Sequence, residues 1–441
     1  MESVTREDAF KANPDMSRFR DVHWQAPDNA AGGHLGRARR VKFFLPFWKA
    51  AQVTNSYRKI KPRIALMTPL LKIETPAVVV DRPALDDNIR QMQARARTHG
   101  LRLRPHIKTH KCLAIARLQM AAGACGITAA KVDEALPFIR DGIASVTLAQ
   151  PQMIAAKLDR IMAAAKAYHC DLRLIVDSQA GLDLLAARAA ELGCAPGVSI
   201  KIDVGLHRCG LLPDDPAIVA LAQALHRHPA LRFVGLLSHA GHAYGAEDGR
   251  KVAAIAEEER RIMLAVAHRL EKAGVPVPEI SVGATPTVLA ADRFDGITEI
   301  RPGNYVVMDQ TPWRLGLVSR SQIALTVLTT VISRNADYLI TDAGSKTFSS
   351  DRGAHGSEGV AGFGAGWPLE SFGEASPALS LVRLSEEHGF FARDDRDIPL
   401  GTCLQVIPNH ACPVVNLART LVVLDRETVY EWPVEARACV R

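Results

Sequence analysis

Short runs of β-branched and aliphatic residues alternate along most of the chain with longer segments rich in alanine, leucine and arginine. Apolar runs with the length of strands occur at 101–105, 125–129, 145–149, 172–176, 198–203, 232–238, 279–282 and 297–301. Segments with the length of helices lie between them and include 112–122, 131–141, 151–168, 178–192, 215–227 and 250–273. Eight consecutive strand and helix units predict an α/β fold, a closed (β/α)8 TIM-type barrel.

An open, doubly wound parallel sheet is the competing architecture for alternating strands and helices. Such a sheet usually carries a GxGxxG turn after an early strand. No GxGxxG turn follows an early predicted strand in this chain. The pattern therefore favours the barrel.

Beyond about residue 310 the alternation of strands and helices ends. Apolar runs occur there at 323–333, 338–341, 379–384, 402–407 and 419–424, and long glycine-rich loops join them. We therefore predict three parts: a basic, disordered extension at 1–66, the barrel at 67–310 and a mostly β C-terminal domain at 311–441.

The basic charge of the protein is confined to its first segment. The 441 residues contain 54 Lys+Arg and 47 Asp+Glu, a formal net charge of +7. Residues 1–71 hold thirteen basic and six acidic side chains, so the rest of the chain is neutral, with 41 of each sign. A neutral body gives little support to a nucleic-acid partner. No apolar run approaches the ~18 to 20 residues of a membrane span, so no membrane partner is expected either.

The eight cysteines are scattered and form no CxxC spacing or paired framework. The first ten residues lack the charged and apolar regions of a secretory signal. Both features predict a reducing, cytoplasmic setting.

The first predicted barrel strand runs directly into the segment RPHIKTHK, which contains Lys108. Barrels gather their ligand-binding groups at the carboxyl ends of the strands. A lysine that is buried there beside other cations has a lowered pKa, and its free amine can form a Schiff base with an aldehyde. A basic surface loop would have the same composition.

The seventh predicted strand ends in SVGATPT and the eighth in RPGNY. Both are turns of small residues that leave backbone N–H groups free, and Thr285 opens a predicted helix. These loops are where barrels commonly bind phosphate. A phosphate site across the barrel mouth from Lys108 suits pyridoxal phosphate.

In the predicted β domain, the segment PNHACP places His410 and Cys412 two residues apart, so both side chains can point the same way. An imidazole and a thiolate suit Zn²⁺, and two protein ligands leave positions open for water and substrate. A buried histidine beside an unrelated free cysteine is the alternative interpretation.

The segments ETPAVVVD, RPHIKTHK, KIDVGLHRCG, SVGATPT, RPGNY and PNHACPVVNL, in this order, resemble the D-threonine aldolase and D-serine dehydratase family. Its members are fold-type III pyridoxal-phosphate enzymes, related to alanine racemase, in which a β domain follows the barrel. The resemblance covers about residues 72–430 and leaves out the N-terminal extension.

The resemblance implies a role for each matching residue. Lys108 is implied as the lysine that forms the Schiff base with the cofactor. The implied cofactor contacts are Gln150, Arg208, Tyr244, Ala284, Thr285, Gly303, Asn304 and Tyr305. For Arg208, a structural ion pair is an equally good interpretation.

Family members also bind a divalent metal that contacts the substrate hydroxyl, held by the equivalents of His410 and residue 412. In aldolase-type members the second ligand tends to be Asp, which favours Mn²⁺ or Mg²⁺, and in dehydratase-type members it tends to be Cys, which favours Zn²⁺. Cys412 therefore points to a dehydratase. Asp342, Lys346 and Asp351, in ITDAGSKTFSSDRG, either line the site or belong to a structural turn.

The resemblance implies a pyridoxal-phosphate- and metal-dependent lyase that removes the 3-hydroxyl of a small D-amino acid, such as D-serine or D-3-hydroxyaspartate, and yields a 2-oxo acid and ammonia. A D-threonine aldolase is the first alternative, and His242 or His239 is its candidate base, although both could equally be structural. An amino-acid racemase and a non-catalytic carrier of the cofactor are further alternatives. Relatives of this fold build the active site across a dimer interface, so a homodimer is expected.

Overall fold

The computed structural model describes residues 69–354, 360–372 and 376–441. The extension predicted at 1–66 lies outside them. The described chain begins with strand β1 (Ala77–Asp81) and helix α1 (Arg82–Thr98). Helix α1 starts at Asp81, whose carboxylate accepts a hydrogen bond from Ala84 N at 2.9 Å, as expected of an N-terminal capping residue.

Eight parallel strands form the first sheet, in the order β2-β9-β8-β7-β6-β5-β4-β3. These strands are β2 (Arg102–Leu103), β3 (Ile127–Ala129), β4 (Ser145–Leu148), β5 (Asp171–Val176), β6 (Gly197–Lys201), β7 (Arg232–Leu237), β8 (Glu279–Val282) and β9 (Glu299–Ile300). A parallel bridge between His106 and Thr128, with a 2.8 Å hydrogen bond from Thr128 N to Pro105 O, joins β2 to β3 and closes the sheet. The predicted barrel and all eight of its strands are confirmed.

Helices follow the barrel strands. They are α2 (Leu113–Ala122), α3 (Val132–Arg140), α4 (Ala155–Ala167), α5 (Gln179–Leu192), α6 (Ala217–Arg227), α7 (Gly249–Lys272) and α8 (Thr285–Ala290). Local signals set their ends: α5 begins after Ser178, whose hydroxyl accepts from Gly181 N, and ends at Gly193 with a φ of 60°. The helices agree with the predicted segments to within a few residues.

A second sheet of nine strands has the order β11-β14-β13-β12-β15-β10-β1-β16-β17. Its further strands are β10 (Leu325–Arg334), β11 (Tyr338–Thr341), β12 (Gly364–Pro368), β13 (Leu379–Leu384), β14 (Gly389–Ala392), β15 (Cys403–Pro408), β16 (Thr420–Asp425) and β17 (Thr428–Pro433). An additional pairing of β11 with β10 closes six strands into a small barrel. Three short helices accompany the sheet, α9 (Gln310–Arg314), α10 (Ser345–Phe348) and α11 (Ala411–Leu417).

One strand inside the range predicted for the barrel belongs to the second sheet. Strand β1 pairs antiparallel with β10 and parallel with β16, so it lies between them. Its first four residues are buried, as expected of a strand that is covered on both faces. The β domain is therefore built from both ends of the described chain, while the predicted boundary near residue 310 falls between β9 and β10.

Besides β1, three strands of the second sheet were missed from the sequence. Strands β12 and β14 contain Gly364, Gly366 and Gly389, and glycine is depleted in strands. In β12 the glycines allow close packing, because a Cβ at Gly366 would lie 2.8 Å from the ring of Phe391. Strand β17 pairs only with β16 and is largely exposed, so it lacks an apolar pattern.

Candidate active site

A cavity of about 430 Å³ lies where the carboxyl ends of the barrel strands meet the second domain. Residues that follow β2, β3, β4, β8 and β9 line it, together with residues of α11 and of the C-terminal segment. Parallel strands of a barrel all end at the same mouth, which is why their loops converge here. The volume falls in the range of small-molecule and cofactor sites.

Lys108 lies in a 3-10 turn (Ile107–Thr109) directly after β2 and lines the cavity. The turn is held by His106, whose Nδ1 accepts a hydrogen bond from Lys108 N at 3.3 Å. Both neighbours of Lys108 in the turn are buried. Burial lowers the pKa of the Lys108 amine, the negative charge of Cys412 opposes this shift, and the positive charge of Arg208 adds to it. A lysine with a lowered pKa keeps part of its amine neutral and nucleophilic.

The loops after β8 and β9 contribute Gly283, Ala284, Gly303 and Asn304 to the cavity lining. Gly283 has a φ of +114°, and a Cβ on it would lie 3.0 Å from Val288 Cγ2. A Cβ on Gly303 would lie 3.0 Å from the His106 carbonyl oxygen. A side chain would be crowded at both glycines, and the loops present main-chain atoms to the cavity, as a phosphate site requires.

Of three predicted cofactor contacts, one lines the cavity and two, Thr285 and Tyr305, lie behind its lining. Tyr244 lines the cavity, and burial raises the pKa of its hydroxyl. Thr285 and Tyr305 are not among the described residues of the lining. The Thr285 hydroxyl accepts from Tyr305 N at 3.0 Å, and the Tyr305 hydroxyl accepts from Gln119 Nε2 at 3.0 Å. Both residues thus brace the loops after β8 and β9, and their contacts with a cofactor stay predictions.

His239, rather than His242, lies in the cavity lining. His239 Nδ1 is 3.2 Å from the Gly283 carbonyl oxygen. His242 is in the following 3-10 turn (Gly241–Gly245), where its ring packs against Gly205 and the cavity lining does not include it. A substrate contact of His242 stays a prediction, and His239 is the histidine of this loop that lines the cavity.

Gln150 lies beside the lining. With its amide nitrogen directed at the Ala130 carbonyl oxygen, its amide oxygen accepts from Lys131 Nζ at 3.2 Å. Lys131 is the residue of this pair that lines the cavity, so Gln150 acts on the site through Lys131. Arg208 lines the cavity directly and forms no ion pair with a described residue, and its contact with a cofactor stays a prediction.

Four charged residues of the lining were not singled out from the sequence: Lys131, Glu134, Lys201 and Arg301. Lys201 ends β6, and Arg301 follows β9. Burial, with the nearby charge of Arg301, lowers the pKa of Lys201 to about 8. Lys201 and Arg301 could have been predicted as lining residues from their position at the ends of predicted strands, because side chains there point into a barrel mouth.

His410 and Cys412 come together at the start of α11 and line the cavity. His410 Nδ1 is 2.9 Å from Asp351 Oδ2, and Cys412 Sγ is 3.2 Å from Thr109 Oγ1. Burial acts to lower the pKa of His410, but the charge of Cys412 and the bond to Asp351 raise it to about 10. Burial acts to raise the pKa of Cys412, and the positive charges of His410 and Lys108 outweigh it and hold that pKa below its usual value. His410 and Cys412 therefore favour the charged form of each other, which brings an imidazole ring and a sulfur ligand together at the cavity.

This donor set fits a metal ion. Asp351 engages Nδ1 of His410 and leaves Nε2 for a metal, the usual way in which a carboxylate orients a ligating histidine. Among the described residues no group of three or more His, Cys, Asp or Glu converges, so a metal here would take its other ligands from water and substrate. Asp342 accepts instead from Thr75, Thr329 and Thr330 inside the β domain, and Lys346 pairs with Glu387 at the surface.

Asp309 ties the loop after β9 to the His410 segment. One of its carboxylate oxygens accepts from Asn304 Nδ2 at 2.6 Å and from Ala411 N at 2.9 Å. Its other oxygen accepts from Thr311 N at 3.1 Å. The residue is fully buried, so these bonds are shielded from water. Asp309 thus fixes the position of the loop after β9 relative to the His410–Cys412 pair.

Comparison with known proteins agrees with this architecture. The family model described as "Alanine racemase, N-terminal domain" matches residues 80–311, and a serine dehydratase domain model matches residues 324–424. The D-threo-3-hydroxyaspartate dehydratase of Delftia sp. (strain HT23) is 40% identical over 354 residues, which are 78% of this chain and 92% of that protein. The D-threonine aldolase of an Arthrobacter species is 33% identical over 383 residues, or 85% and 95% of the two chains.

The solved structure of the Delftia sp. HT23 dehydratase superposes with a TM-score of 0.77 and 38% identity, over 82% of this chain and 98% of that one. The chain therefore belongs to the D-threonine aldolase and D-serine dehydratase family, whose barrel is that of alanine racemase. No helix within the described ranges is long and apolar enough to cross a membrane.

Proposed function

We propose that this protein is a pyridoxal 5'-phosphate- and zinc-dependent lyase that eliminates the 3-hydroxyl of a D-3-hydroxy amino acid, releasing a 2-oxo acid and ammonia. The observation that carries the proposal is the contact between the two halves of the site. Thr109, next to Lys108, hydrogen-bonds Cys412, which adjoins His410. An amine for the cofactor and a ligand pair for a metal thus face one cavity.

The cavity residues fit pyridoxal phosphate. Gly283, Ala284, Gly303 and Asn304 would hold its phosphate with main-chain groups, and Lys108 would hold its aldehyde carbon. When bound, the cofactor supplies an electron sink for the charge that develops at the α-carbon. Lys108 Nζ then accepts the α-proton, and its lowered pKa favours the neutral amine that this step needs.

His410 Nε2 and Cys412 Sγ would hold the metal, and a thiolate with an imidazole favours Zn²⁺ over Mn²⁺ or Mg²⁺. A zinc ion there supplies Lewis acidity toward the hydroxyl that leaves. Solved structures of the related dehydratase include a cysteine-to-alanine mutant in the metal-free form and a histidine-to-alanine mutant, at positions two residues apart. His410 and Cys412 have the same spacing.

The aldolase is the second candidate, because His239 lines the cavity and could accept the proton of the substrate hydroxyl. The soft ligand at Cys412 and the greater similarity to a dehydratase favour elimination. A racemase would have no use for a ligand pair beside the hydroxyl, and a carrier would not need the second domain.

We also propose a cytoplasmic homodimer. The cytoplasmic assignment is supported by the eight cysteines, which are all free. The dimer rests on the family resemblance, and sedimentation equilibrium of the purified chain tests it: a monomer at micromolar concentration would contradict it.

The product assay tests the reaction. The zinc-loaded enzyme is incubated with D-serine, with D-threonine and with D-3-hydroxyaspartate. Release of ammonia with pyruvate, 2-oxobutanoate or oxaloacetate supports the dehydratase. Glycine with an aldehyde supports the aldolase, and racemised substrate or no turnover by protein that holds the cofactor contradicts both.

A further inference from the structure

Glu134 is a carboxylate of the cavity lining for which the reaction described above has no role. It lies in the first turn of α3 and is 1% exposed. Its Oε2 accepts a hydrogen bond from Ala130 N at 3.1 Å, as a glutamate near a helix start often does. Its Oε1 is buried and has no hydrogen-bond partner among the described residues. A buried carboxylate oxygen without a donor is costly, so helix capping accounts for only half of this side chain.

Two lysines have charges that act on Glu134. Burial raises the pKa of Glu134, while Lys111 and Lys108 oppose that shift. Lys111 is already engaged, because its Nζ donates to Asn416 Oδ1 at 2.7 Å. Lys108 Nζ donates a hydrogen bond to none of the described residues. The charge of Glu134 acts to raise the pKa of Lys108, against the effect of burial. An unpaired buried acceptor and an unpaired amine therefore border the same cavity.

We propose that Glu134 is a positioning residue for Lys108, whose protonated amine donates a hydrogen bond to the free Glu134 oxygen once the lysine is released from the cofactor. The inference rests on the proposed function. The lone pair of Lys108 Nζ forms a new N–H bond with the α-proton, and the electron pair of the broken C–H bond stays on the substrate. Glu134 neither gains nor loses a proton in this step and only accepts a hydrogen bond.

Such a bond has a mechanical consequence. A hydrogen bond between an ammonium and a carboxylate is shorter and stronger than one between neutral groups. It would hold the flexible lysine side chain on the α3 side of the cavity while the rest of the reaction proceeds. Lys108 Nζ would otherwise have no fixed partner there.

The experiment measures how fast pyridoxal phosphate binds to the cofactor-free full-length protein as a function of pH. Binding speeds up as Lys108 loses its proton, so the midpoint reports the pKa of Lys108. The groups whose charges act on Lys108 are Cys412 of α11, Arg208 after β6 and Glu134 of α3, and of these the variant changes only the last. For Glu134→Gln, which keeps an acceptor for Ala130 N, we expect the midpoint to fall by about one pH unit.

A matched control is Glu435→Gln. Glu435 Oε2 accepts from Leu113 N at 2.8 Å at the start of α2, and the cavity lining described here does not include it. Its midpoint and turnover should equal those of the wild type. In the loaded enzyme, Glu134→Gln should lower kcat about tenfold or more and leave KM within about twofold, because the bond forms only after the substrate has reacted.

Three results would overturn the inference. The first is a Glu134→Gln midpoint equal to that of the wild type. The second is a Glu134→Asp midpoint, with the charge retained, that falls as far as that of Glu134→Gln, which would assign the shift to a loosened helix. If Glu134→Gln does not fold, infrared titration of the carboxylates in cofactor-free Lys108→Met replaces it. The pKa of Glu134 should rise in that variant. An unchanged pKa of Glu134 is the third contrary result. Failure of the wild type to bind the cofactor would instead contradict the proposed function.

Discussion

Cys412 Sγ lies 3.2 Å from Thr109 Oγ1, across 303 positions of sequence. Thr109 belongs to the turn that carries Lys108 in the barrel, and Cys412 belongs to the first turn of α11 in the second domain. This hydrogen bond links the turn of the lysine to the proposed metal ligands. A substitution at Thr109 should therefore change the affinity for the metal.

Thr109→Val keeps the shape of the side chain and removes this bond. We expect metal affinity to fall about tenfold, since groups that orient a metal ligand typically contribute that much. Zinc titration against a competing chelator measures it. Thr329→Val, which removes a buried hydrogen bond to Asp342 in the β domain, should leave the affinity unchanged. Equal zinc affinity in Thr109→Val and the wild type would refute the coupling.

Lys108 and Lys201 are two lysines of one cavity lining, and only one of them should bind the cofactor. Lys108→Ala should lose the visible absorbance of the lysine–cofactor Schiff base, because the amine that forms it is gone. Lys201→Ala should keep that absorbance, since its Nζ donates to the Ile202 carbonyl oxygen beside it. A Schiff-base spectrum that survives in Lys108→Ala would show that the lysine is assigned wrongly.

Removal of the metal should affect turnover and cofactor binding differently. Dialysis against a chelator should abolish turnover and leave the cofactor absorbance in place, because His410 and Cys412 do not hold the phosphate loops. Added Zn²⁺ should restore activity more fully than Mn²⁺ or Mg²⁺. Undiminished turnover in chelated protein, with zinc shown by metal analysis to be absent, would contradict the metal role.

Below the cavity, the barrel interior contains an ion pair between Arg104 and Glu299, with 2.8 Å between Nε and Oε2. Both side chains are almost fully buried. Removing one partner leaves a buried charge alone, so Glu299→Gln should reduce the free energy of unfolding by about 3–5 kcal/mol. Urea unfolding measures the loss. Glu258→Gln, which breaks a surface pair with Arg261, should cost far less, and equal losses would show that burial does not matter here.

The same pair gives a pH dependence. Burial acts to raise the pKa of Glu299, but Arg104 and Ser281 together hold it below its usual value. A depressed carboxyl pKa adds stability that is complete above the unfolded value of about 4.3 and is lost as the pH falls through the folded pKa below it. The difference in unfolding free energy between wild type and Glu299→Gln should therefore shrink below about pH 4. A difference that stays constant down to pH 3 would contradict the paired state of Glu299.

The periodic part of the fold was predictable because barrel strands are short apolar runs between helices, and each predicted strand from 101–105 to 297–301 is present. Strand β1 was not assigned to its sheet, because its partners β10 and β16 lie more than 240 residues away along the chain. Such long-range pairing leaves no local signal.

The site residues likewise fall into those that the sequence could predict and those that only the structure shows. Lys108, His410 and Cys412 were recognisable because their residue types and spacing carry the chemistry. Glu134 was missed because glutamates in the first turn of a helix are common and usually exposed, and only the packed structure shows its buried oxygen. His239 and His242 were both candidates because a sequence does not tell which of two nearby loop histidines faces the cavity.

A crystal structure of the enzyme grown with pyridoxal phosphate and zinc would show both halves of the site together. We expect continuous density from Lys108 Nζ to the cofactor, with the phosphate against Gly283 and Gly303. We also expect an anomalous zinc peak about 2.3 Å from Cys412 Sγ and about 2.0 Å from His410 Nε2. A cofactor joined to another lysine, or a zinc ion bound away from His410 and Cys412, would contradict the proposed site.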